Sequence, residues 1–249
     1  MNLTTQLAYM AIMLTAIAVG VILLRVFQEK LNVSGWEKLG IGIGGFCGAM
    51  IGAKLPFALY DWEGLIDGTT WFAHGKTIIA GLLGGYFGVE LAKWVLEIRT
   101  KTGDSFVVPV AVSIGIGRWA CFVAGCCFGT ACEMPWGVAI GTAPDGGVVA
   151  RHPTQIYESV FHLSCAAVFF LLWRKKMFPG QLFKIYLLAY MAYRFFTEWL
   201  RPEPHYALGL TAYQWAALLA MPLFVWLIWR DRNLGGAIKT EPTLAGGSE

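Results

Sequence analysis

An arginine and a group of cysteines stand together near the middle of this chain. The stretch 115–129 reads GIGRWACFVAGCCFG, which places Arg118 inside an apolar run. Three thiols follow it at short spacing: Cys121, Cys126 and Cys127. A guanidinium group is costly among apolar residues unless a polar cavity, a counter-ion or a bound anion receives it. A thiol beside a cation ionises more readily and becomes a nucleophile or a metal ligand. This stretch is therefore the first candidate site.

A second set of polar residues lies on one face of a later apolar segment. The set is spaced at i, i+4, i+8 and i+11, the repeat of one helix face, and comprises Tyr190, Arg194, Glu198 and Arg201. Guanidinium groups hold phosphate through paired hydrogen bonds. Two arginines on one face, with Arg118 from another segment, predict an anion-binding site.

The segment 151–158, RHPTQIYE, is the third dense motif. Pro153 disfavours helix at His152, and Thr154 is placed to cap the helix that follows. That arrangement brings three polar residues to one mouth of a helical bundle: His152, Gln155 and Glu158. Two interpretations stay open, a helix cap with interfacial polar residues or a site in which His152 serves as a general base.

Four of the six cysteines cluster, and the other two, Cys47 and Cys165, are predicted to be small core residues. The cluster comprises Cys121, Cys126, Cys127 and Cys132. A disulfide, a reactive thiolate beside Arg118, and simple packing among glycines all remain open. The spacing lacks the paired C-x₂-C of structural zinc sites, so no metal and no cofactor are expected.

Composition indicates a membrane protein of several spans. The 249 residues are 57% hydrophobic and 14% charged, whereas soluble domains carry about 25% charged residues. We predict an all-α integral membrane protein with one domain, 1–232, and a flexible cytoplasmic tail, 233–249. Seven apolar blocks have bilayer-spanning length, near 6–27, 39–60, 77–97, 106–126, 156–173, 182–200 and 210–229. The net charge of +3 comes from basic residues in loops, which does not indicate a nucleic-acid partner.

The basic residues also predict the orientation. Twelve arginines and lysines fall on one side of a seven-span topology: Arg25, Lys30, Lys38, Arg99, Lys101, Arg174, Lys175, Lys176, Lys184, Arg230, Arg232 and Lys239. The alternate loops hold only Lys76, Arg151 and Arg201. The positive-inside rule then places the N-terminus outside and the C-terminus in the cytoplasm. The first block lacks a basic leader and a small-residue cleavage site, so it is expected to be a retained helix.

The depth of the charges follows from the rise of about 1.5 Å per residue. Arg118 and Arg194 each lie about 18 Å above the cytoplasmic edge of their spans. Lys54 and Glu198 lie at about 22–24 Å above that edge. Glu158 lies in the first turn of a span that enters the membrane from the outer side. Five charges on four spans thus share the outer half of the membrane. We expect a pocket that opens to the outer leaflet and binds a phospholipid phosphate, with buried structural ion pairs as the alternative.

Together the three motifs resemble the bacterial prolipoprotein diacylglyceryl transferases. The family signature begins Gly-Arg, and Gly117-Arg118, Phe122 and Gly125 match it. The family run HPSQLYE is similar to residues 152–158. The family's sixth-span run is similar to Tyr190, Tyr193-Arg194, Glu198 and Arg201-Pro202-Glu203, and its glycine-rich second span with a tyrosine is similar to the span ending at Tyr60.

The resemblance implies an inner-membrane enzyme that moves the diacylglyceryl group of phosphatidylglycerol onto the lipobox cysteine of a prolipoprotein. The expected catalytic set is Arg118, Arg194, Cys121, Cys126, His152 and Glu158, in which the two cysteines are expected from thiol chemistry and not from the resemblance. The implied phospholipid-binding set is Arg118, Arg194, Arg201, Tyr190, Glu198, Gln155 and Tyr60. Cys126, Cys127 and Cys132 are candidates for a disulfide or a reactive thiol. The partners expected are a phospholipid, the membrane, and an acceptor protein or small molecule at the outer face.

Two departures from the family pattern concern the reaction centre. The family has His-Gly-Gly at the start of the third span, whereas the aligned residues here are Ile79-Ala80-Gly81-Leu82, with His74 six residues before the expected position. The asparagine after Gly-Arg is replaced by Cys121 and the later acidic residue by Cys126. Three alternatives therefore accompany the transferase: a paralogue with a cysteine nucleophile and a non-lipoprotein acceptor, a membrane thiol-redox or metal-binding protein, and a lipid-binding or transport protein.

Overall fold

The computed structural model describes residues 2–29, 31, 33–69, 77–142 and 148–239, and over these residues the chain is predominantly helical. The α-helices are α1 Leu3–Gln28, α2 Gly35–Tyr60, α3 Trp62–Ile66, α4 Ile78–Val95, α5 Gly103–Val123, α6 Thr154–Arg174, α7 Leu182–Thr197 and α8 Ala212–Lys239. Two 3₁₀ turns follow α7, at Glu198–Leu200 and Ala207–Gly209. Within the described part of the chain, six helices are long and apolar enough to cross a membrane: α1, α2, α4, α5, α6 and α8.

The predicted helical membrane fold is thus confirmed, with adjustments at helix ends. The sixth predicted span becomes α7 of 16 residues plus the 3₁₀ turn at Glu198–Leu200. The fourth ends at Val123 and not at residue 126. α8 continues to Lys239, so residues 233–239 are helical although a flexible tail was expected from 233. Gly235 and Gly236 weaken a helix by only about 1 kcal/mol each and do not stop it. Residues 240–249 lie outside the described residues.

α2 and α4 pack backbone to backbone through glycines spaced four residues apart. On α2 these are Gly44, Gly48 and Gly52, and on α4 they are Gly84 and Gly88. A Cβ added at Gly48 would lie 2.3 Å from the Gly84 carbonyl oxygen, so the two backbones touch there. Small residues at this spacing allow membrane helices to approach closely and to gain dispersion contacts.

α5 is the central helix of the other half, because it packs against α1, α6 and α7. Gly115 lets Leu163 of α6 approach, since a Cβ there would lie 2.8 Å from the leucine Cγ. The Ser159 hydroxyl donates to the Gly115 carbonyl over 2.7 Å across the same contact. The core beside it is built from fully buried side chains of α7 and α8, among them Tyr186, Leu187, Met191 and Phe224.

The two ends of this half are held by different polar contacts. At one end, the Asp104 carboxylate accepts hydrogen bonds from the backbone N–H groups of Gly180 and Leu182, at 2.5 and 3.0 Å. Lys184 pairs with Asp231 over 2.6 Å at that same end. α5, α7 and α8 therefore meet at the end that carries the basic loops, and the arginine and cysteine motifs lie toward the opposite end.

A small antiparallel hairpin, which the sequence analysis did not anticipate, lies between α5 and α6. Its strands are β1 Val138–Thr142 and β2 Val148–Arg151, with Val138 opposite Arg151 and an irregular register between Ala139 and Thr142. Strands of four or five residues are too short to stand out in a search for bilayer-length blocks. The fold is therefore helical with one two-stranded sheet in its longest described loop.

Candidate active site

A buried carboxylate stands at the centre of the site. Glu158, in the first turns of α6, is 1% exposed. Its Oε2 accepts from Arg118 Nη2 at 2.5 Å and from Arg201 Nη2 at 3.1 Å. Its Oε1 accepts from the Tyr190 hydroxyl at 2.5 Å. One side chain therefore ties together α5, α6, α7 and the segment after α7, which brings together residues from all three sequence motifs.

A second ion pair adjoins the first. Arg194 near the end of α7 and Glu198, four residues later at the start of the 3₁₀ turn, pair at 2.7 Å, and both are buried. Thr211, just before α8, donates to Glu198 over 3.2 Å. The Arg194 guanidinium also lies 5.0 Å above the centre of the Tyr213 ring. The start of α8 and the residue before it thus contact this ion pair.

The cluster carries one positive charge in excess. Three buried arginines, Arg118, Arg194 and Arg201, face two carboxylates, Glu158 and Glu198. The expected alternative of buried structural ion pairs is therefore observed, but it does not neutralise the arginines. Within the described part of the chain, the buried Nε groups of Arg118 and Arg201 have no hydrogen-bond acceptor. A buried donor without a partner is unfavourable, so the arrangement suits an anion that supplies oxygen atoms.

A buried histidine that the sequence analysis did not single out extends the network. His162 lies one turn after Glu158 on α6 and is fully buried. Its Nε2 is 3.9 Å from a Glu158 oxygen, and its Nδ1 lies 2.8 Å from the Tyr186 hydroxyl. The i, i+4 spacing from Glu158 is the signal that would have identified it, because such residues share a helix face.

The cysteines are positioned by the way α5 ends. Gly125 has a φ of +67°, a left-handed conformation that glycine adopts without strain. The Cys126 N–H donates to the Cys121 carbonyl and the Gly125 N–H to the Phe122 carbonyl, each at 3.1 Å. These are the two bonds of a Schellman motif, which brings the residue after the glycine back against the last helical turn. The sequence signal was present, since a glycine lies just before Cys126.

Three thiols consequently come together. The sulfur atoms of Cys121, Cys126 and Cys127 all lie within 4.8 Å of one another. All six cysteines are free thiols, and Cys132 is buried and does not belong to the group. Arg118 Nη1 lies 3.7 Å from the Cys121 sulfur, which links the thiols to the arginine cluster.

The electrostatic surroundings favour a thiolate at one of these positions. Contact with the thiols of Cys121 and Cys126 lowers the pKa of the Cys127 thiol. The guanidinium groups of Arg118 and Arg201 act in the same direction, against the effect of burial. The neighbouring guanidinium groups therefore favour the thiolate form of Cys127 over its neutral form.

The start of α6 fixes the backbone of the cysteine turn. The fully buried Gln155 donates from Nε2 to the Cys126 carbonyl over 2.5 Å, and the Thr154 hydroxyl donates to the Cys127 carbonyl over 2.7 Å. The prediction that Thr154 caps α6 is wrong, because its hydroxyl is used in this contact and Pro153 occupies the N-cap position without a side-chain cap. This segment therefore supports the thiols.

Of the remaining predicted site residues, His152 and Lys54 are described by the structure and the side chain of Tyr60 is not. His152 Nδ1 lies 3.2 Å from the Tyr157 hydroxyl, and the backbone of His152 pairs with that of Gly129 and Thr130. Tyr60 ends α2, but its side chain is outside the described residues, as are His74 and Lys76. Lys54 is buried on α2.

An apolar cavity of about 580 Å³ lies between α1, α2, α4 and α5. Its wall is almost entirely hydrophobic and includes Ile17, Met50, Leu82, Val110 and Ile114. Ile114 is one helical turn before Arg118 on α5, so the apolar space and the arginine cluster adjoin along one helix. Hydrocarbon chains next to an anion-binding group fit this combination.

Comparison with known proteins gives one consistent result. The family described as prolipoprotein diacylglyceryl transferase matches residues 4–230. A protein of Clostridium tetani named phosphatidylglycerol–prolipoprotein diacylglyceryl transferase is 33% identical over 206 residues, which cover 79% of this chain and 81% of the relative. Proteins of the same name from Methylobacillus flagellatus and Cupriavidus necator are 31% and 28% identical, over 81% and 88% of this chain and 81% and 85% of their own lengths.

Proposed function

The chain belongs to the prolipoprotein diacylglyceryl transferase family, and we propose that it transfers the diacylglyceryl group of phosphatidylglycerol to a prolipoprotein. The observation that carries the proposal is the buried arginine cluster with a surplus positive charge and two unpartnered guanidinium nitrogens. The names of the relatives supply the donor and the acceptor.

The phospholipid is held at its two ends by different parts of the site. The phosphate lies against Arg118, Arg194 and Arg201, whose planar guanidinium groups match its oxygen atoms. The acyl chains extend into the apolar cavity along α5. Both features adjoin on one helix, which supports a single donor molecule occupying them together.

In this proposal, the enzyme lies in the bacterial inner membrane, and its site opens to the outer leaflet. α7 and the following 3₁₀ turn are the sixth span along the chain and bring the number of spans to seven, since together they extend about 30 Å. The basic loops lie at the end where Asp104 meets Gly180 and Leu182, and the positive-inside rule assigns that end to the cytoplasm. The N-terminus is then outside, and the motifs lie near the outer face.

The reaction is a displacement at the glyceryl carbon that bears the phosphate. The acceptor thiol releases its proton to water, its sulfur forms a bond to that carbon, and the carbon–oxygen bond breaks with its electron pair going to the departing glycerol phosphate. The arginines stabilise the negative charge on the leaving group, which is electrostatic catalysis.

Glu158 serves in this scheme as the counter-ion that positions the arginines. Both of its oxygens already accept hydrogen bonds from Arg118, Arg201 and Tyr190, so it is poorly placed to accept a proton from the acceptor. The names of the three relatives all state diacylglyceryl transfer, so they lend no support to the alternatives. These alternatives were a paralogue with a cysteine nucleophile and a non-lipoprotein acceptor, a membrane thiol-redox or metal-binding protein, and a lipid-binding or transport protein.

The test is transfer by purified protein from phosphatidylglycerol to a cysteine-containing lipobox peptide, followed by mass spectrometry. Arg118→Ala and Arg194→Ala are each expected to lower the rate by about a hundredfold or more, as loss of a transition-state charge partner does. Arg99→Ala, at an exposed arginine after α4, is the matched control and should keep the wild-type rate. Full activity in either test variant would show that the phosphate is bound elsewhere.

A further inference from the structure

The three thiols at the end of α5 have a geometry that the reaction above does not use. We propose that Cys121, Cys126 and Cys127 bind one zinc ion as thiolates, with its fourth position reserved for the acceptor cysteine. The inference rests on the proposed function, because it assigns to the metal the activation of the acceptor thiol in that reaction. It also departs from the expectation that the site holds no metal.

The distances suit a zinc ion. Sulfur atoms bound to tetrahedral zinc at about 2.3 Å lie about 3.8 Å from one another. The sulfur atoms of Cys126 and Cys127 are 3.7 Å apart, and all three sulfur atoms lie within 4.8 Å. Closing the trio around an ion therefore requires displacements of less than about 1 Å, within the freedom of half-exposed side chains.

The backbone is built to hold this arrangement. The left-handed Gly125 turns Cys126 back toward Cys121, and Cys127 has a φ of +61°, which a residue with a side chain rarely adopts. Strain of this kind persists where the surroundings enforce it, and it concentrates at functional sites. Here the side chains of Gln155 and Thr154 hold the backbone in this conformation by donating hydrogen bonds to the carbonyl groups of Cys126 and Cys127.

The charges also suit the ion. Zinc with three thiolates has a net charge of −1, and the acceptor thiolate brings it to −2. Arg118 lies 3.7 Å from the Cys121 sulfur, and the arginine cluster carries a surplus positive charge. The hydrogen bond from Arg118 to the Cys121 sulfur also orients this ligand and tunes its basicity.

The reaction needs a group that deprotonates the acceptor thiol, and the zinc ion supplies this activation in a chain that lacks the histidine of the family. Ile79 stands where the resemblance predicts a histidine, and Cys121 and Cys126 replace two polar residues of the family. Three protein ligands and one open position are the arrangement of catalytic zinc, and a thiol that binds such an ion loses its proton. Zinc coordination therefore replaces a general base.

The chemical step balances without further reagents. The acceptor S–H binds the open position and releases its proton to water at the outer face. The bound thiolate sulfur donates an electron pair to the glyceryl carbon, and the carbon–oxygen bond breaks toward the phosphate oxygen. The product is a neutral thioether, a weaker ligand than a thiolate, so it leaves the zinc and reopens the position.

The experiment uses Co²⁺ as a spectroscopic substitute for zinc in the full-length protein, reduced and freed of metal in detergent. Tetrahedral thiolate coordination gives intense near-ultraviolet charge-transfer bands and visible d–d bands. We expect these bands to saturate at about one ion per chain. A lipobox peptide with cysteine should shift the d–d bands, whereas the same peptide with serine should not.

Variants assign the ligands. Cys121→Ser, Cys126→Ser and Cys127→Ser should each weaken Zn²⁺ binding by at least about a hundredfold, more than loss of an outer-shell partner costs. Cys47→Ser, at an exposed thiol of α2, should bind as the wild type does. If a variant fails to fold, alkylation of the wild-type protein gives the same assignment. Bound Zn²⁺ should slow the alkylation of Cys121, Cys126 and Cys127.

The outcomes separate this inference from the function on which it rests. If the wild-type protein shows no thiolate-to-cobalt bands, the proposed metal site is wrong. Bands that ignore the cysteine peptide, together with full transfer after chelation, overturn the metal's role while transfer itself stands. Bands that respond to the peptide, in a metal-loaded protein that transfers nothing, support the site and overturn the proposed function. Transfer lost on chelation and restored by Zn²⁺ supports both.

Discussion

At the scale of single residues, Glu158 organises the site more than any arginine does. Its two oxygens receive Arg118, Arg201 and Tyr190, and its side chain is almost completely buried. A buried pair contributes little net stability, but loss of one partner leaves the other charge unbalanced in a poorly solvated place. The carboxylate is therefore expected to matter for both folding and donor binding.

Replacement of Glu158 by glutamine tests this role. Glu158→Gln keeps the shape and removes the charge, and it should lower the free energy of unfolding by about 3–5 kcal/mol because two buried guanidinium groups lose their counter-ion. Thermal or denaturant unfolding in detergent measures the change. Glu29→Gln is the control, since Glu29 is an exposed carboxylate at the end of α1, and the loss of its charge should cost under about 1 kcal/mol. Equal stability of the two variants would show that Glu158 is not the anchor.

At the scale of elements, glycines decide both helix packing and helix termination. Gly48 and Gly84 let α2 and α4 touch along their backbones, whereas Gly125 stops α5 so that Cys126 returns to the helix end. The first effect depends on the missing side chain and the second on the left-handed φ. The same residue type thus positions the cavity wall and the thiol group by different physical means.

A pair of matched substitutions on α2 tests the packing. Gly48→Ala places a Cβ 2.3 Å from a backbone oxygen of α4, which must move, so we expect a loss of about 1–3 kcal/mol in the free energy of unfolding. Gly42→Ala meets no atom within 4 Å and should be neutral, or stabilising by up to about 1 kcal/mol. Melting temperatures in detergent compare the two variants. A similar effect at both positions would mean that helix propensity, and not close approach, determines the result.

At the scale of the whole molecule, the site has two compartments that share α5. The arginine cluster lies toward one end of α5 and the apolar cavity extends along it between α1, α2 and α4. Phosphate and hydrocarbon require opposite surroundings, and this arrangement offers both within one helical turn. Donor binding is then expected to depend on chain length as well as on headgroup charge.

Filling the cavity tests that dependence. Val110→Trp places a large ring in the cavity wall and should slow transfer severalfold from long-chain phosphatidylglycerol but much less from a short-chain analogue, because only the long chains need the space. Transfer rates with the two donors provide the measurement. Val168→Trp, on the exposed face of α6, is the matched control and should leave both rates unchanged. Equal slowing with both donors would place the acyl chains elsewhere.

The helical membrane fold and the family could both be predicted from the order of residues along the chain. Hydropathy and the 3.6-residue repeat are local properties, so the apolar blocks and the shared face of Tyr190, Arg194 and Glu198 were readable without a partner. The Gly-Arg signature and the two later motifs carried the resemblance, and the comparisons confirmed it.

Which polar groups come into contact depends on the packing of the helices against one another and could not be predicted from the sequence. The pairing of Arg118 with Glu158, forty residues apart, depends on the close packing of α5 on α6 at Gly115. The contact of His162 with Tyr186, the hairpin and the cavity likewise arise from contacts between segments that no single segment specifies. The meeting of three thiols needed the end of α5 to be placed at Val123, because one further helical turn would have separated Cys121 from Cys126 along the axis.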